Sequence, residues 1–402
     1  MSALPSKPPV WLLVAATATG PLALNMFVPS MPRLPAVFDT GYAMVQLTLS
    51  LFLIGVAVGQ LAYGPLSDRF GRRPVLLGGV ALYVVASLAC ALAPSIGFLV
   101  AGRVAQALGG CAGMVIGRAV VRDAWGRDEA TRVLAMVIAG MAVAPMLGPA
   151  LGGVLDDWIG WRAGFVFTVG FGLLVLLAGF RSLPETNRQP VPIPSPAALW
   201  GIYRTLLGKP VFLGFALVAA LNTAGFFAFL AGAPFIMVDM LGRSASEYGI
   251  VFILLSVGYM AGNLLVSRLA GRWRGERLML IGLVLSLTGP AVMLALLLAG
   301  VFTPLALFLP ATVMCLGNGL VMPTSMSAAI GVEPRLAGTA SGLLGFCQMG
   351  MGAAVSATVG AMKDGEPFVM AVAMVLINTL AFAAYRFARR GAMRPVPAES
   401  AA

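Results

Sequence analysis

The chain alternates between long apolar runs and short connections marked by charge, glycine or proline. Crossing about 30 Å of hydrocarbon at 1.5 Å per residue takes roughly 20 apolar residues. Twelve runs approach that length: 10–29, 44–66, 75–93, 98–120, 133–155, 163–181, 211–231, 248–268, 278–299, 304–327, 337–361 and 368–387, numbered here as spans one to twelve. They are predicted as helices, because hydrocarbon offers a backbone N–H or C=O no water to bond. The first run, with Lys7 before it, has the outline of a cleaved leader. With so many further spans behind it, it is read as span one.

The connections carry the charge. With the N-terminus placed inside, 21 of the 26 basic residues fall on that side, among them Lys7, Arg69, Arg72, Arg118, Arg122, Arg188, Arg335 and Arg394. Arg33, Arg162, Arg243 and Lys363 fall outside, and Arg103 alone is placed within a span. This bias predicts an inner-membrane protein with both termini cytoplasmic. The one long polar connection, from Ser182 to Lys209, carries Pro184, Pro190, Pro192, Pro194 and Pro196. It reads as a linker (182–209) between an N-terminal six-helix bundle (1–181) and a C-terminal one (210–402). Ser67, Gly71 and Arg72 after span two recur 200 positions later as Ser267, Gly271 and Arg272 after span eight, a faint sign of repeated halves.

Composition agrees. Of 402 residues 59% are hydrophobic and 10% charged, with a mean hydropathy of +0.94, far from the balance of a soluble domain. The net charge of +11 is spaced between apolar runs rather than gathered on one soluble face, so nucleic-acid binding is excluded. Cys90, Cys111, Cys315 and Cys347 lie in apolar stretches without CxxC spacing, and there is no histidine. No metal site, disulfide framework or cofactor is expected. No nucleophile–base constellation or phosphate-binding loop suggests an enzyme.

The ordered segment Gly64-Pro65-Leu66-Ser67-Asp68-Arg69-Phe70-Gly71-Arg72-Arg73 follows span two. It resembles the GxLxDRxGRR signature of the major facilitator superfamily, matched in full. The resemblance implies two six-helix halves and a conformational latch, in which Asp68 and Arg72, with Asp123 below span four, hold the halves closed on the cytoplasmic side. Span four contains Arg103-Val104-Ala105-Gln106-Ala107-Leu108-Gly109-Gly110, similar to the family's RxxQG motif with Ala107 in place of its first glycine. Span five carries Gly140, Pro145, Gly148, Pro149, Gly152 and Gly153, which resemble the motif that marks antiporters. Small residues there let helices approach closely and the prolines bend the span.

Asn25-Met26-Phe27-Val28-Pro29-Ser30-Met31-Pro32, Trp161-Arg162 with Phe165, Leu183-Pro184-Glu185-Thr186 and Ala337-Gly338-Thr339-Ala340-Ser341 resemble the bicyclomycin- and chloramphenicol-resistance (Bcr/CflA) branch of drug exporters. That branch has aspartate and tyrosine where this chain has Asn25 and Phe27. Asparagine cannot titrate, and all fifteen acids, Asp364, Glu366 and Glu399 included, fall in loops or at helix ends. Either a boundary acid such as Asp39 or Asp68 carries the proton, or coupling is altered or absent.

In the family fold the first, fourth, seventh and tenth spans line a central cavity, which makes Asn25, Arg103, Gln106, Asn222 and Asn318 the candidate substrate groups, with Gln348 of span eleven and Phe226 beside them. Polar groups at membrane depth turn to protein or water. Packing hydrogen bonds between helices, worth about 0.6 kcal/mol each, are the plainer use of the same residues. An arginine at mid-membrane costs about 2.5–3.5 kcal/mol on insertion scales and wants a partner, unless it snorkels outward. The expected function is export of amphipathic small molecules by alternating access, with protons as the coupling ion and the protein a monomer. The alternative is an efflux carrier or facilitator for a hydrophilic metabolite, such as an amino acid or sugar derivative, without standard proton coupling. A non-transporting sensor would want a larger output domain than the short tail after span twelve.

Overall fold

The computed structural model describes residues 7–125, 127–187, 191–193, 195–269, 272–333, 336–361 and 367–392. Arg188, Pro190, Pro194, Gly271, Arg335, Lys363, Asp364, Glu366, Arg394 and Glu399 lie outside them. Among the described residues twelve helices are long and apolar enough to cross a membrane, and they coincide in order with the twelve predicted runs.

Several spans are longer than their apolar cores. Span one continues from Val10–Phe27 through a 3₁₀ turn (Val28–Arg33) to Phe38, where Asp39 adopts a left-handed conformation and ends it. Span two runs Tyr42–Phe70 and stops at Gly71, whose φ of 98° no side chain adopts easily. Span four runs Ile96–Ala124 and the fifth helix runs Arg127–Trp158. Span seven is Pro210–Phe235 with a π-helical turn, Ile236–Met240, added. The remaining spans are Arg72–Ala91, Arg162–Ser182, Ala245–Leu269, Gly275–Leu298, Pro304–Ile330, Ala337–Ala361 and Pro367–Ala392.

Two expectations are corrected. The connection 182–209 is not linker throughout, because Pro196–Leu207 forms a helix whose Ser195 cap accepts from the Ala198 N–H at 3.2 Å. Ile202, Tyr203, Leu206 and Leu207 pack its apolar side on the second half, while Trp200 is exposed. The other correction is Arg118, counted among loop charges, which lies inside the span-four helix and turns its Nε–H back onto the Met114 carbonyl at 2.8 Å. Arginine side chains on helices lean toward the N-terminus, which carries the guanidinium toward the middle of the span.

The spans are held by glycine, and the same crossing recurs in each half. Gly109 faces the backbone of Gly79 and Tyr83, so spans three and four touch main chain to main chain. Gly317 faces Gly282 and Ser286 in the same way between spans nine and ten. Gly55 and Gly59 receive Ala107 and Cys111 of span four, as Gly258 and Gly262 receive Thr312 and Leu316 of span ten. Small residues carry these contacts because lipid tails are as apolar as leucine and leave only close packing to hold helices together. Between the halves, span two packs along span eleven and span five along span eight. Spans one, four, seven and ten stand between those two seams.

A Cβ at Gly113 would strike the Ala16 carbonyl of span one. Gly113→Val is therefore expected to cost about 1–3 kcal/mol of overpacking. The check is a lowered midpoint of thermal unfolding in detergent, with Gly78→Ala, where a Cβ meets open space, as the neutral control.

Candidate functional site: the inner faces of the two halves

Arg103, on span four, is fully buried. Its Nη1 donates to the Ala23 carbonyl at 3.1 Å and to Gln106 Oε1 at 2.6 Å. Gln106 Nε2 passes the chain on to Ser87 Oγ at 2.7 Å, and Ser87 donates to the Tyr83 carbonyl. Among the described residues no carboxylate pairs with Arg103. Phe52, Phe27 and Phe165 instead present ring faces 4.1, 4.6 and 5.9 Å from the guanidinium carbon. A desolvated cation over an aromatic face gains about 2 kcal/mol, so these rings stand where an acid would otherwise be needed. Phe27 serves here through its ring, with no hydroxyl, and Trp161 backs Phe165 edge to face at 6.0 Å.

The second half holds a matching polar chain. Asn222 Nδ2 donates to Ser286 Oγ at 3.2 Å, and Ser286 donates to Asn318 Oδ1 at 2.9 Å, linking spans seven, nine and ten. The sequence-predicted residues thus fall into two networks, one inside each bundle, rather than one ring around the gap. Asn25 joins neither: its Nδ2 bonds the Pro21 carbonyl of its own helix at 2.8 Å, and its Cβ rests on Gly148. Phe226 packs on Phe227 and Phe252. Gln348 is buried with its Nε2 unbonded.

The span-five motif divides its glycines between two neighbours. Gly140, Gly148 and Gly152 face Val14, Asn25 and the Met26 backbone of span one. Gly153 faces the Ala245 carbonyl of span eight, and Gly249 of span eight faces the Pro149 carbonyl in return. Next to this crossing, Asp157 Oδ2 accepts from the Ser246 N–H of the other half at 2.9 Å. Arg33 holds Asp157 at 2.5 Å and Asp156 at 3.1 Å. Ser244 and Glu247 cap the same helix reciprocally, each accepting the other's N–H at 3.1 Å. A carboxylate at that N-terminus also meets the positive end of the helix dipole. On the other seam, Gln46 Nε2 donates to the Ala231 carbonyl at 2.5 Å and Tyr42 stacks near Phe235 at 5.0 Å. Sequence reading missed this far-end closure, since Arg33, Asp156 and Asp157 look like ordinary loop charges.

At the basic end the signature residues close within the first half. Arg72 pairs with Asp68, with Asp123 at 2.9 Å through Nε, and with Ser67 Oγ at 2.7 Å. Glu185, just after span six, accepts from the Arg72 and Arg73 N–H groups at 2.9 and 3.1 Å, and Asn187 Nδ2 donates to the Asp68 carbonyl at 2.7 Å. Glu185 lies against Gly71, where a Cβ would collide with its carboxylate. Arg73 reaches the Phe180 carbonyl, and Arg69 is exposed. A Cβ at Gly64 or at Gly338 of span eleven would meet nothing within 4 Å. One turn further in, Gln60 already touches Gly345.

A profile of the Major Facilitator Superfamily matches residues 13–357. The chain belongs to that superfamily. It is 32% identical to Multidrug resistance protein D of Escherichia coli over 87% of this chain and 88% of that one. A Chloramphenicol resistance protein of Pseudomonas aeruginosa is 35% identical over 68% and 64%, and a Bicyclomycin resistance protein homolog of Haemophilus influenzae 29% identical over 90% and 92%. These relatives support membership of the Bcr/CflA branch. A solved D-xylose–proton symporter shares the fold, with a TM-score of 0.73 over 93% of this chain and 97% of that one at 16% identity.

Asp157→Ala removes a charged hydrogen bond worth about 1.5–3 kcal/mol from the one seam it crosses. In a chain lacking native cysteines, Ala231→Cys is then expected to react about tenfold faster or more with a membrane-impermeant maleimide added on the far-end side. An unchanged labelling rate would remove Asp157 from the closure.

Proposed function

We propose that this superfamily member exports amphipathic small molecules across the inner membrane by alternating access, with proton antiport as its coupling. The observation that carries the reading is the asymmetry of the two ends. At the far end the halves are fastened across both seams, through Asp157 with Ser246 and Gln46 with Ala231. At the basic end Asp68, Arg72 and Asp123 pair within one half, and Gly64 and Gly338 face open space. Rocking of the halves would exchange the fastened end for the open one. The positive-inside bias puts both termini and the basic end in the cytoplasm, the side from which an exporter loads. A monomer suffices, because the gap is formed within one chain.

An amphipathic cargo agrees with the fate of the polar residues. Asn222, Ser286 and Asn318 bond one another inside their bundle, and Arg103 and Gln106 do the same in theirs. The surface left for cargo is then mainly apolar, which suits a drug-like solute better than a sugar or amino acid. Arg103, Gln106 and Asn25 act in this reading as the braced roof of the binding space, and Phe226 and Gln348 as parts of its wall. The carboxylates standing at a seam the cycle has to open are Asp156 and Asp157, which makes them the natural carriers of coupling in place of a span-one aspartate.

Transport in proteoliposomes tests the reading. Efflux of a lipophilic probe is expected to fall when an imposed pH gradient is collapsed, and flux indifferent to the gradient would rule out proton antiport. Arg103→Ala, which leaves Gln106 and three phenyl faces without their cation, is expected to lower transport by about tenfold or more in correctly inserted protein; full-rate transport would remove Arg103 from the machinery.

A further inference from the structure

Span four packs on three neighbours, and its contacts thin out toward its basic end. Gly110, Gly113 and Gly117 meet span one, Ala107 and Cys111 meet span two, and Gly109 and Ala112 meet span three. Met114 and Arg118 continue the line of Ala107 and Cys111 one and two turns toward the basic end and are only partly buried, with Met114 Sδ also lying against Gly20 of span one. Span ten repeats the arrangement: Gly317 meets span nine and Gly319 meets span eight, while Met322 and Met326 are partly buried on one line. Met322 Sδ is 3.6 Å from Thr223 Oγ1 of span seven. The inner faces of both halves therefore carry methionine, and one of them carries an arginine.

Only Nε of Arg118 is bonded, to the Met114 carbonyl at 2.8 Å. Its two terminal amino groups, four N–H donors, have no protein partner among the described residues and are not sealed from water. None of the ion pairs among the described residues includes Arg118. The described acids stand at helix ends: Asp68 and Asp123 pair with Arg72, Asp156 and Asp157 with Arg33, and Glu333 with Lys209. Arg118 thus offers a guanidinium that no carboxylate among the described residues balances, while Arg103 is bonded inside its own bundle. A cation beside Arg118 meets like charge, whereas an anion supplies the acceptor that Arg118 lacks.

We propose that Arg118 is the substrate-head-group ligand and that the preferred cargo is an amphipathic anion, its carboxylate, sulfonate or phosphate on Arg118 and its apolar body against Met114, Met322 and Met326. Unbranched, polarizable methionines adapt to bodies of varied shape, so the charge sets the class and the thioethers leave the rest open. The proposal rests on the exporter reading and names its substrate class.

The test is equilibrium binding to the purified full chain, with empty micelles subtracted, of three radiolabelled naphthyl amphipaths that share a ring and differ in head group: sulfonate, trimethylammonium and hydroxymethyl. The sulfonate is expected to bind about tenfold tighter than the trimethylammonium compound or better. Arg118→Gln is expected to weaken the sulfonate about tenfold and the neutral alcohol by less than about threefold, while Arg118→Lys retains most sulfonate binding. Equal binding of cation and anion by the unaltered chain, or sulfonate binding untouched by Arg118→Gln, overturns the proposal. Binding of the cation or alcohol without the sulfonate overturns it too and leaves the exporter reading standing. If none of the three binds, both fall. Should Arg118→Gln not fold, the head-group comparison on the unaltered chain still decides.

Discussion

Apolar helices gain nothing by leaving lipid for one another, so whatever holds twelve of them in a fixed arrangement has to come from backbone approach and a few polar bonds. That constraint organises this protein. Gly109 on Gly79 and Gly317 on Gly282 bring main chains into contact at equivalent crossings. The same device binds each half and joins them, since Gly153 and Gly249 face carbonyls across the seam between spans five and eight. A seam built from small residues is close-packed yet shallow, with few side chains interlocked. Such a seam can part and reform without repacking a core, which is what a rocking mechanism demands of it.

Charge is handled by the same economy. Arg103 is buried without an acid and relies on Ala23, Gln106 and three phenyl rings. A carboxylate there would satisfy it more fully, but would also place a titratable anion beside it. Arg118 adds a second positive charge on the same span. The absence of an aspartate at position 25 and the presence of these arginines then belong to one electrostatic design rather than to a defect in another.

Much of the fold was legible because hydrocarbon imposes it: run length, helix type and charge bias all follow from the solvent. The signature loop was legible because its order is specific, and Asp68, Arg72 and Asp123 do meet. Three features were not. Arg118 falls near the end of the predicted run 98–120 and counts there with the charges of the basic side, and the run alone does not show which neighbours it meets. Asn25, Asn222 and Asn318 looked like cavity groups, but an asparagine bonds as readily to its own helix, as Asn25 does, or to a neighbouring one, as Asn222 and Asn318 do through Ser286, and the pattern of polar positions does not say which. Asp157 pairs with a backbone N–H, a partner that carries no signature in sequence at all.

The two ends of the molecule differ in kind as well as in state. At the far end the fastening crosses between halves and includes one carboxylate on a capped helix N-terminus and, on the Ala231 carbonyl, the Gln46 amide and the Tyr42 hydroxyl. At the basic end Arg72 serves both Asp68 and Asp123, with Glu185 and Asn187 locking the turn, so that the signature is already satisfied without the second half. A latch complete in itself costs little to leave unengaged, because no buried charge is abandoned when the halves part. The far end has no such reserve: opening it strips the Ser246 N–H and the Ala231 carbonyl of their partners until water replaces them. Closure at the far end and opening toward the basic end is therefore the arrangement this set of side chains favours, and in the proposed cycle a cargo would have to offset that difference through its own contacts.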